Sequence, residues 1–236
     1  MSQSCSSPNA FDAQHAAVYD DRWAPLAPLR DSLHLQMRFV LQQLPAAARV
    51  LCVGVGTGAE LLALARFFPG WRFVAVDPSA PMLDVCRRKA AEAGVADRCE
   101  FHSCFIHEVP AGEPFDAATS VLVSQFITDR ARRTEFFREI ARRLRPDGLL
   151  ITADLITAPD GQHERLLGVW SQMMRHVGAS EAQIQAMFAT YEHDMALLAA
   201  PVMEALLVEA GFDRPVRISQ SLLIHAWFAR RKSILP

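Results

Sequence analysis

Residues 50–60 read VLCVGVGTGAE. An apolar run, Val50 to Val53, meets glycines at 54, 56 and 58 and then a stretch with helical spacing. Glycine takes positive φ and lets a backbone or ligand approach without a Cβ in the way. A helix that starts just after such a turn offers free N–H groups to an anion. The stretch therefore reads as a strand, a tight glycine turn and a helix.

The same alternation continues outward from it. RFVAVD (72–77), RCEFHSC (98–104), FDAATSVLV (115–123) and LLITADLI (149–156) read as further strands. Between them, 59–68, 80–94 and 129–145 carry apolar residues at helical spacing. Pro146-Asp147-Gly148 closes the last of these as a turn, Pro fixing φ and Gly supplying the positive φ. Buried strands alternating with helices predict a parallel sheet covered on both faces. Such sheets bind ligands beyond the carboxyl ends of their strands.

The flanks differ. Residues 11–44 read as helical, interrupted near Pro25 and Pro28, and the Ser-rich first ten residues are expected to fray. After Asp160 two helices are predicted. The first, 163–177, ends at Gly178, and the second starts from a capping box of Ser180 and Gln183. Pro201 opens a third helix, closed by Gly211, before two strands at 214–219 and 222–230. The expectation is a doubly wound, Rossmann-like α/β domain. It has a seven-stranded sheet whose last strand is antiparallel, a helical lid (1–45), a ligand-binding core (46–158), and an insertion with the closing elements (159–236).

Composition narrows the function. Charge is nearly balanced, with 24 Lys+Arg against 26 Asp+Glu, so the basic face of a nucleic-acid binder is not expected. The arginines at 130, 132, 133, 138, 142, 143 and 145 read as a solvated helix face. The five cysteines form no C-x-x-C and fit a reducing compartment. The N-terminus has no signal-peptide pattern and no stretch is long and apolar enough to span a bilayer, so a cytoplasmic protein without membrane contact is expected. The eight histidines show no ligand spacing, and no metal is expected.

Two ligands suit the glycine turn. A dinucleotide needs G-x-G-x-x-G/A, which Gly54, Gly56 and Ala59 meet loosely. S-adenosylmethionine brings a carboxylate as its anion. Asp77, ending the second strand, can accept hydrogen bonds from a ribose diol in either ligand; the competing use of Asp77 is as cap of the next helix, but Ser79 can cap it equally well, which leaves Asp77 somewhat freer for a ligand.

VLCVGVGTGAE, FVAVDPSAPMLDVCRRKA, FDAATSVLVSQFI and RRLRPDGLLITADL, in that order and spacing, resemble the class I S-adenosylmethionine-dependent methyltransferases. The resemblance covers about residues 46–156, and LVEAGF (207–212) with the last two strands resembles that family's close. FDAQHAAVYDDRW and the C-terminal helices resemble, more weakly, the carboxy-S-adenosylmethionine synthase branch. The resemblance implies S-adenosylmethionine as cofactor and in-line methyl transfer to a small-molecule acceptor. The alternatives are an enzyme that makes or uses a modified S-adenosylmethionine, and a non-catalytic binding protein.

It also implies site residues. Gly54, Gly56, Thr57 and Gly58 would pass the methionine moiety, and Asp77 would hold the ribose. Pro78, Ser79 and Met82 would flank the adenine, with Phe105 and Ile106 at the ring. Ser120, Val121 and Leu122 would face the methionine and the substrate. Two positions depart from the family: Cys52 and Phe105 stand where it often has acids.

An oxygen or nitrogen acceptor can need a general base, and His163, Tyr191 and His193 are the candidates. Tyr19 and Arg22, in the lid, are candidates for contact with cofactor or substrate. The insertion holds more apolar residues than docking one helix requires, so Trp170 and Met174 are expected to roof a pocket. Arg175 or His176 would then serve an anionic acceptor. The competing use of that surface is a homodimer contact.

Overall fold

The computed structural model describes residues 11–159 and 161–233. The Ser-rich first ten residues, Cys5 among them, lie outside the described residues.

Two helices lead in: α1 (Ala13–Trp23) and α2 (Ala27–Leu41), joined by a 3-10 turn at Ala24–Leu26. Asp12 caps α1 by accepting from the His15 N–H, and the prolines stand in the first turns of the 3-10 segment and α2, where no N–H is missed. The core then runs β1 (Arg49–Val53), α3 (Ala59–Phe67), β2 (Arg72–Val76), α4 (Ala80–Glu92), β3 (Cys99–His102), β4 (Phe115–Val121), α5 (Arg130–Arg143) and β5 (Leu144–Thr157). The insertion is α6 (Gln162–His176) and α7 (Glu181–His193), and β6 (Leu198–Ala199), α8 (Ala200–Glu209), β7 (Val216–Ser221) and β8 (Ile224–Arg230) complete the chain.

The sheet order is β3-β2-β1-β4-β5-β8-β7. β1 to β5 are parallel, and β8 pairs antiparallel with both β5 and β7. The expected seven strands become eight, because β6 pairs in parallel with the far end of β5 at Ile156↔Leu198. Two residues carry no alternation, so β6 had no signature in the sequence.

A second correction concerns Pro146-Asp147-Gly148, which lies within the irregular start of β5 rather than in a turn before it. Asp147, not Gly148, takes the positive φ, at 62°. Asp tolerates the left-handed region better than most side chains. Gly148 is needed for space instead: a Cβ there would lie 2.9 Å from the Arg145 carbonyl oxygen.

One face of the sheet packs against α2, α3 and α4, where Met37, Leu41, Leu61, Leu64 and Leu83 are fully or almost fully buried. The other face packs against α5 and α8 through Phe137, Ile140, Met203 and Leu206. A third cluster joins Trp170, Met174 and Ile184 of the insertion to Leu155 and Leu223, with Trp23, Leu26 and Leu122 around them. The capping box forms as expected: Gln183 N–H donates to Ser180 Oγ at 3.3 Å, and Ser180 N–H to Gln183 Oε1 at 2.8 Å.

The arginine face is also corrected. Arg133 is fully buried, at 0% exposure. Its i, i+4 neighbour Phe137 lies on the same buried stripe, and Arg143 also turns inward to the Val109 carbonyl.

Candidate functional site

The glycine turn sits at the carboxyl edge of β1, and all three glycines have positive φ: 67°, 53° and 86° at Gly54, Gly56 and Gly58. Their surroundings differ. A Cβ on Gly54 would lie 2.4 Å from a Val123 methyl, and one on Gly58 would lie 2.5 Å from Cys86 Sγ. Those two glycines admit the β4 loop and α4. At Gly56 the nearest atom would be Met82 Cε at 3.5 Å. Gly56 is thus the glycine that leaves room for a ligand.

Asp77 is buried at the end of β2 and organises the turn. One carboxylate oxygen accepts from Gly56 N–H at 2.8 Å, the other from Ser79 N–H at 2.8 Å. Burial raises its carboxyl above the ordinary range, and those two N–H groups oppose the rise. Of the two possible caps it is Ser79 that caps α4, accepting from Met82 N–H. The expectation that this leaves Asp77 free needs revising, since both its oxygens already hold a backbone donor. A carboxylate offers about four acceptor positions, so two remain for a ribose diol.

The lid lies directly on this turn. Asp20 of α1 accepts from Thr57 Oγ1 at 2.7 Å and pairs with Lys89 Nζ at 2.7 Å. Ser79 Oγ donates to the Phe11 carbonyl at 2.6 Å. Tyr19 stands in the same place, its phenol raised by burial and by the charges of Asp20, Glu60 and Asp77. Around the site, Met82 and Ile106 are buried, Pro78 is exposed, and Phe105 is 37% exposed beside His107. Cys52, fully buried, has a thiol pushed up by burial and by the Glu60 charge. It offers no acid at that position.

β4 delivers the other wall. Ser120 is fully buried, and Val121 and Leu122 after it are partly exposed. Leu122 has φ 59°, a strained conformation for a branched side chain. A buried network holds it there. Leu122 N–H donates to the Ala153 carbonyl at 2.7 Å, and Gln125 Nε2 donates to the Leu122 carbonyl at 3.3 Å. Gln125 N–H and Ser124 Oγ donate to Asp154, and Arg133 Nε donates to Ser124 Oγ at 2.8 Å. Arg133 Nη1 then reaches the Ala196 carbonyl at 2.7 Å, tying the β4 loop to the end of the insertion. Burial pushes the Asp154 carboxyl up to about 6, with Arg133 and the donors pulling it back.

Sequence reasoning missed Ser124, Gln125, Arg133 and Asp154. The available signal was an acid inside the apolar run LLITADLI.

The candidates in the insertion are divided. Trp170 is buried, its indole N–H beside the Tyr191 hydroxyl without a well-formed hydrogen bond. Burial pushes the Tyr191 phenol up to about 12, so it stays neutral and suits donation rather than proton abstraction. His163 accepts from Ala158 N–H at 3.4 Å, holding the start of α6, and His193 is exposed at the end of α7. Arg175 and His176 are exposed, and Arg175 is paired with Glu181. Neither lines the cavity beside α1.

Arg22 and Met174 do share a cavity of about 310 Å³, with Val18, Trp23 and Met187 among its lining. Helical spacing puts Val18, Asp21 and Arg22 on the face of α1 opposite Ala16 and Asp20. α1 thus stands between this cavity and the glycine turn.

Among the described residues no group of three or more His, Cys, Asp or Glu could hold a metal. No helix among them is long and apolar enough to cross a membrane.

The parallel sheet, the glycine turn over its edge and the acid ending β2 define a Rossmann-like nucleoside-binding site of the methyltransferase type. Residues 50–148 match the methyltransferase domain family. The chain is similar to the carboxy-S-adenosyl-L-methionine synthase of Campylobacter hominis, 25% identical over 204 residues that make up 86% of each chain. It is also similar to a tRNA (carboxymethyluridine(34)-5-O)-methyltransferase of Arabidopsis thaliana, 28% identical over 56% of this chain and 30% of that one. An O-methyltransferase family protein from Burkholderia thailandensis has the same fold, with a TM-score of 0.68 at 18% identity, over 96% of this chain and 62% of that one. Residues 50–148, where that match falls, thus carry the features of a methyltransferase domain. That match supports S-adenosylmethionine as the cofactor of the chain.

The residues present fit that cofactor, because Gly56 opens the turn and Asp77 keeps acceptor positions for a diol. When bound, the cofactor supplies a methyl carbon already activated by the adjacent sulfonium. The chain's own contribution is to bind, align and exclude water.

Proposed function

We propose that the enzyme methylates a small molecule held between Leu122 and the helical insertion. The observation that carries this reading is the third apolar cluster. It joins Leu122, at the end of β4, to Trp170, Tyr191 and Phe188 of the insertion and to Trp23 of the lid. An apolar wall with a neutral phenol and an unpartnered indole N–H suits a ligand with an aliphatic or aromatic body and one or two hydrogen-bonding groups. Gly54 to Gly58, Asp77, Pro78, Ser79, Met82, Phe105 and Ile106 hold the cofactor in this reading, and Leu122 marks where cofactor and acceptor meet.

Methyl-labelled S-adenosylmethionine, incubated with the protein and a cell extract, tests it. Label should appear in a dialysable product that chromatography separates from S-adenosylmethionine, and the Trp170→Ala variant should reduce that transfer while binding the cofactor as well as wild type. Label found only in RNA or protein would contradict the reading. A second reading rests on the alignment with carboxy-S-adenosyl-L-methionine synthases over 86% of both chains: the nucleoside processed carries an extra carboxyl group. Mass spectrometry of nucleoside released from purified protein distinguishes the two. Homodimerisation is the other use of the insertion, through Val169, which is 46% exposed, together with Val18 of α1, which is 54% exposed. Light scattering reads that directly.

A further inference from the structure

Glu60 is the second residue of α3, next to the glycine turn, and is only 6% exposed. Among the described residues its carboxylate has no ion-pair partner, and the one hydrogen bond it accepts comes from its own backbone N–H. Beneath it lie the buried thiols of Cys52 and Cys86, both raised in part by its charge. Toward the turn it faces Asp77 of the β2 edge and Tyr19 of α1. The cation that opposes its charge is Lys89 of α4, and that ammonium is already in contact with Asp20 at 2.7 Å. Asp20 and Glu60 thus share one lysine beside this turn.

Burying a carboxylate without a partner is costly, and a ligand that brings a cation offsets the cost. S-adenosylmethionine carries two positive centres, the sulfonium and the α-ammonium, against one carboxylate. The ribose falls to Asp77 and the methionine part must run over Gly56, so the amino-acid end passes the start of α3.

We infer that Glu60 is a cofactor-binding residue that accepts the α-ammonium of S-adenosylmethionine. This rests on the placement of the cofactor at the glycine turn. Glu60 then discriminates for nucleosides that keep the amino-acid tail. It also couples binding to proton release, because burial and the Asp77 charge push its carboxyl up to about 7 in the free protein. Lys89 opposes that rise.

The test compares two nucleosides by calorimetry. S-adenosylmethionine has the ammonium. 5′-Methylthioadenosine keeps the adenosine and a thioether but has neither ammonium nor carboxylate. Glu60→Gln should weaken S-adenosylmethionine at least about tenfold and leave 5′-methylthioadenosine unchanged, and Glu60→Asp should recover part of the loss. Wild-type affinity for S-adenosylmethionine should rise from about pH 5.5 to about pH 7.5 as Glu60 gives up its proton, and this rise should be absent in Glu60→Gln. An equal loss for both nucleosides would show that Glu60 only supports the turn, and unchanged affinity for S-adenosylmethionine would also overturn the inference. If wild-type protein bound neither nucleoside, the cofactor placement itself would fall, and this assignment with it.

Discussion

Glu60→Gln should change how stability depends on pH even when no cofactor is present. The side chain is buried without a partner, and its carboxyl moves from 4.5 to about 7. At 1.4 kcal/mol per pH unit that difference corresponds to roughly 3 kcal/mol, an upper bound because unfolded chains keep some structure. The direction follows from proton binding. The folded state holds the Glu60 proton more tightly than the unfolded state, so its favourable contribution is complete below about pH 4.5 and lost as pH rises through about 7. Glutamine has the same shape and no charge, and lacks this dependence. Urea unfolding at about pH 5 and about pH 8 measures it. The variant should match wild type at the lower pH and exceed it by up to about 3 kcal/mol at the higher. Asp154 also has a raised carboxyl, but it is common to both proteins and cancels in the difference; Asp77 faces Glu60, so their mutual repulsion is part of what the comparison measures. The same stability difference at both pH values would refute the reasoning, because it would mean that Glu60 carries no buried charge.

Arg133→Ala should cost about 3–5 kcal/mol, the scale for leaving one partner of a buried ion pair alone. Thermal unfolding checks this, and a loss under about 1 kcal/mol would show that Asp154 does not depend on Arg133. Asp77→Ala should weaken S-adenosylmethionine binding by about 1–3 kcal/mol, read by calorimetry. Circular dichroism should stay near wild type, since the variant removes two hydrogen bonds at one turn and leaves the sheet register alone.

The parts of the fold that were legible in the sequence are those whose signal is periodic or chemical. β1, α3 and the glycine turn between them follow from an apolar run, helical spacing and three glycines. α7 follows from Ser180 and Gln183. β6 was invisible because two residues have no period. The distinction among the glycines was also out of reach: Gly54 and Gly58 answer to Val123 and Cys86, contacts made by distant segments, and only Gly56 answers to open space. Arg133 looked like one of a charged row because composition does not say which way a helix faces. Its partner Asp154 stood inside a strand otherwise apolar, and that mismatch was the usable clue. Glu60 was passed over since an acid in a first helical turn is ordinary. Its burial comes from α1 and α4 closing around it, which is a tertiary fact. Trp170 and Met174 were expected to roof a pocket and are buried in the third cluster, whereas Arg175 and His176, one and two positions past Met174 on α6, were not separable from them by sequence.

The central claim is that S-adenosylmethionine is held at the glycine turn through the space left by Gly56. Calorimetric titration of S-adenosylmethionine into wild type and Gly56→Val tests it most directly. A Cβ at Gly56 meets only Met82 Cε, at 3.5 Å. The strain of placing a side chain at φ 53° is about 1–2 kcal/mol, so the variant should fold. The account predicts saturable binding to wild type, no detectable binding to the variant, and matching circular dichroism. Equal affinity in the two proteins, or saturable binding of NADH to wild type, would contradict it.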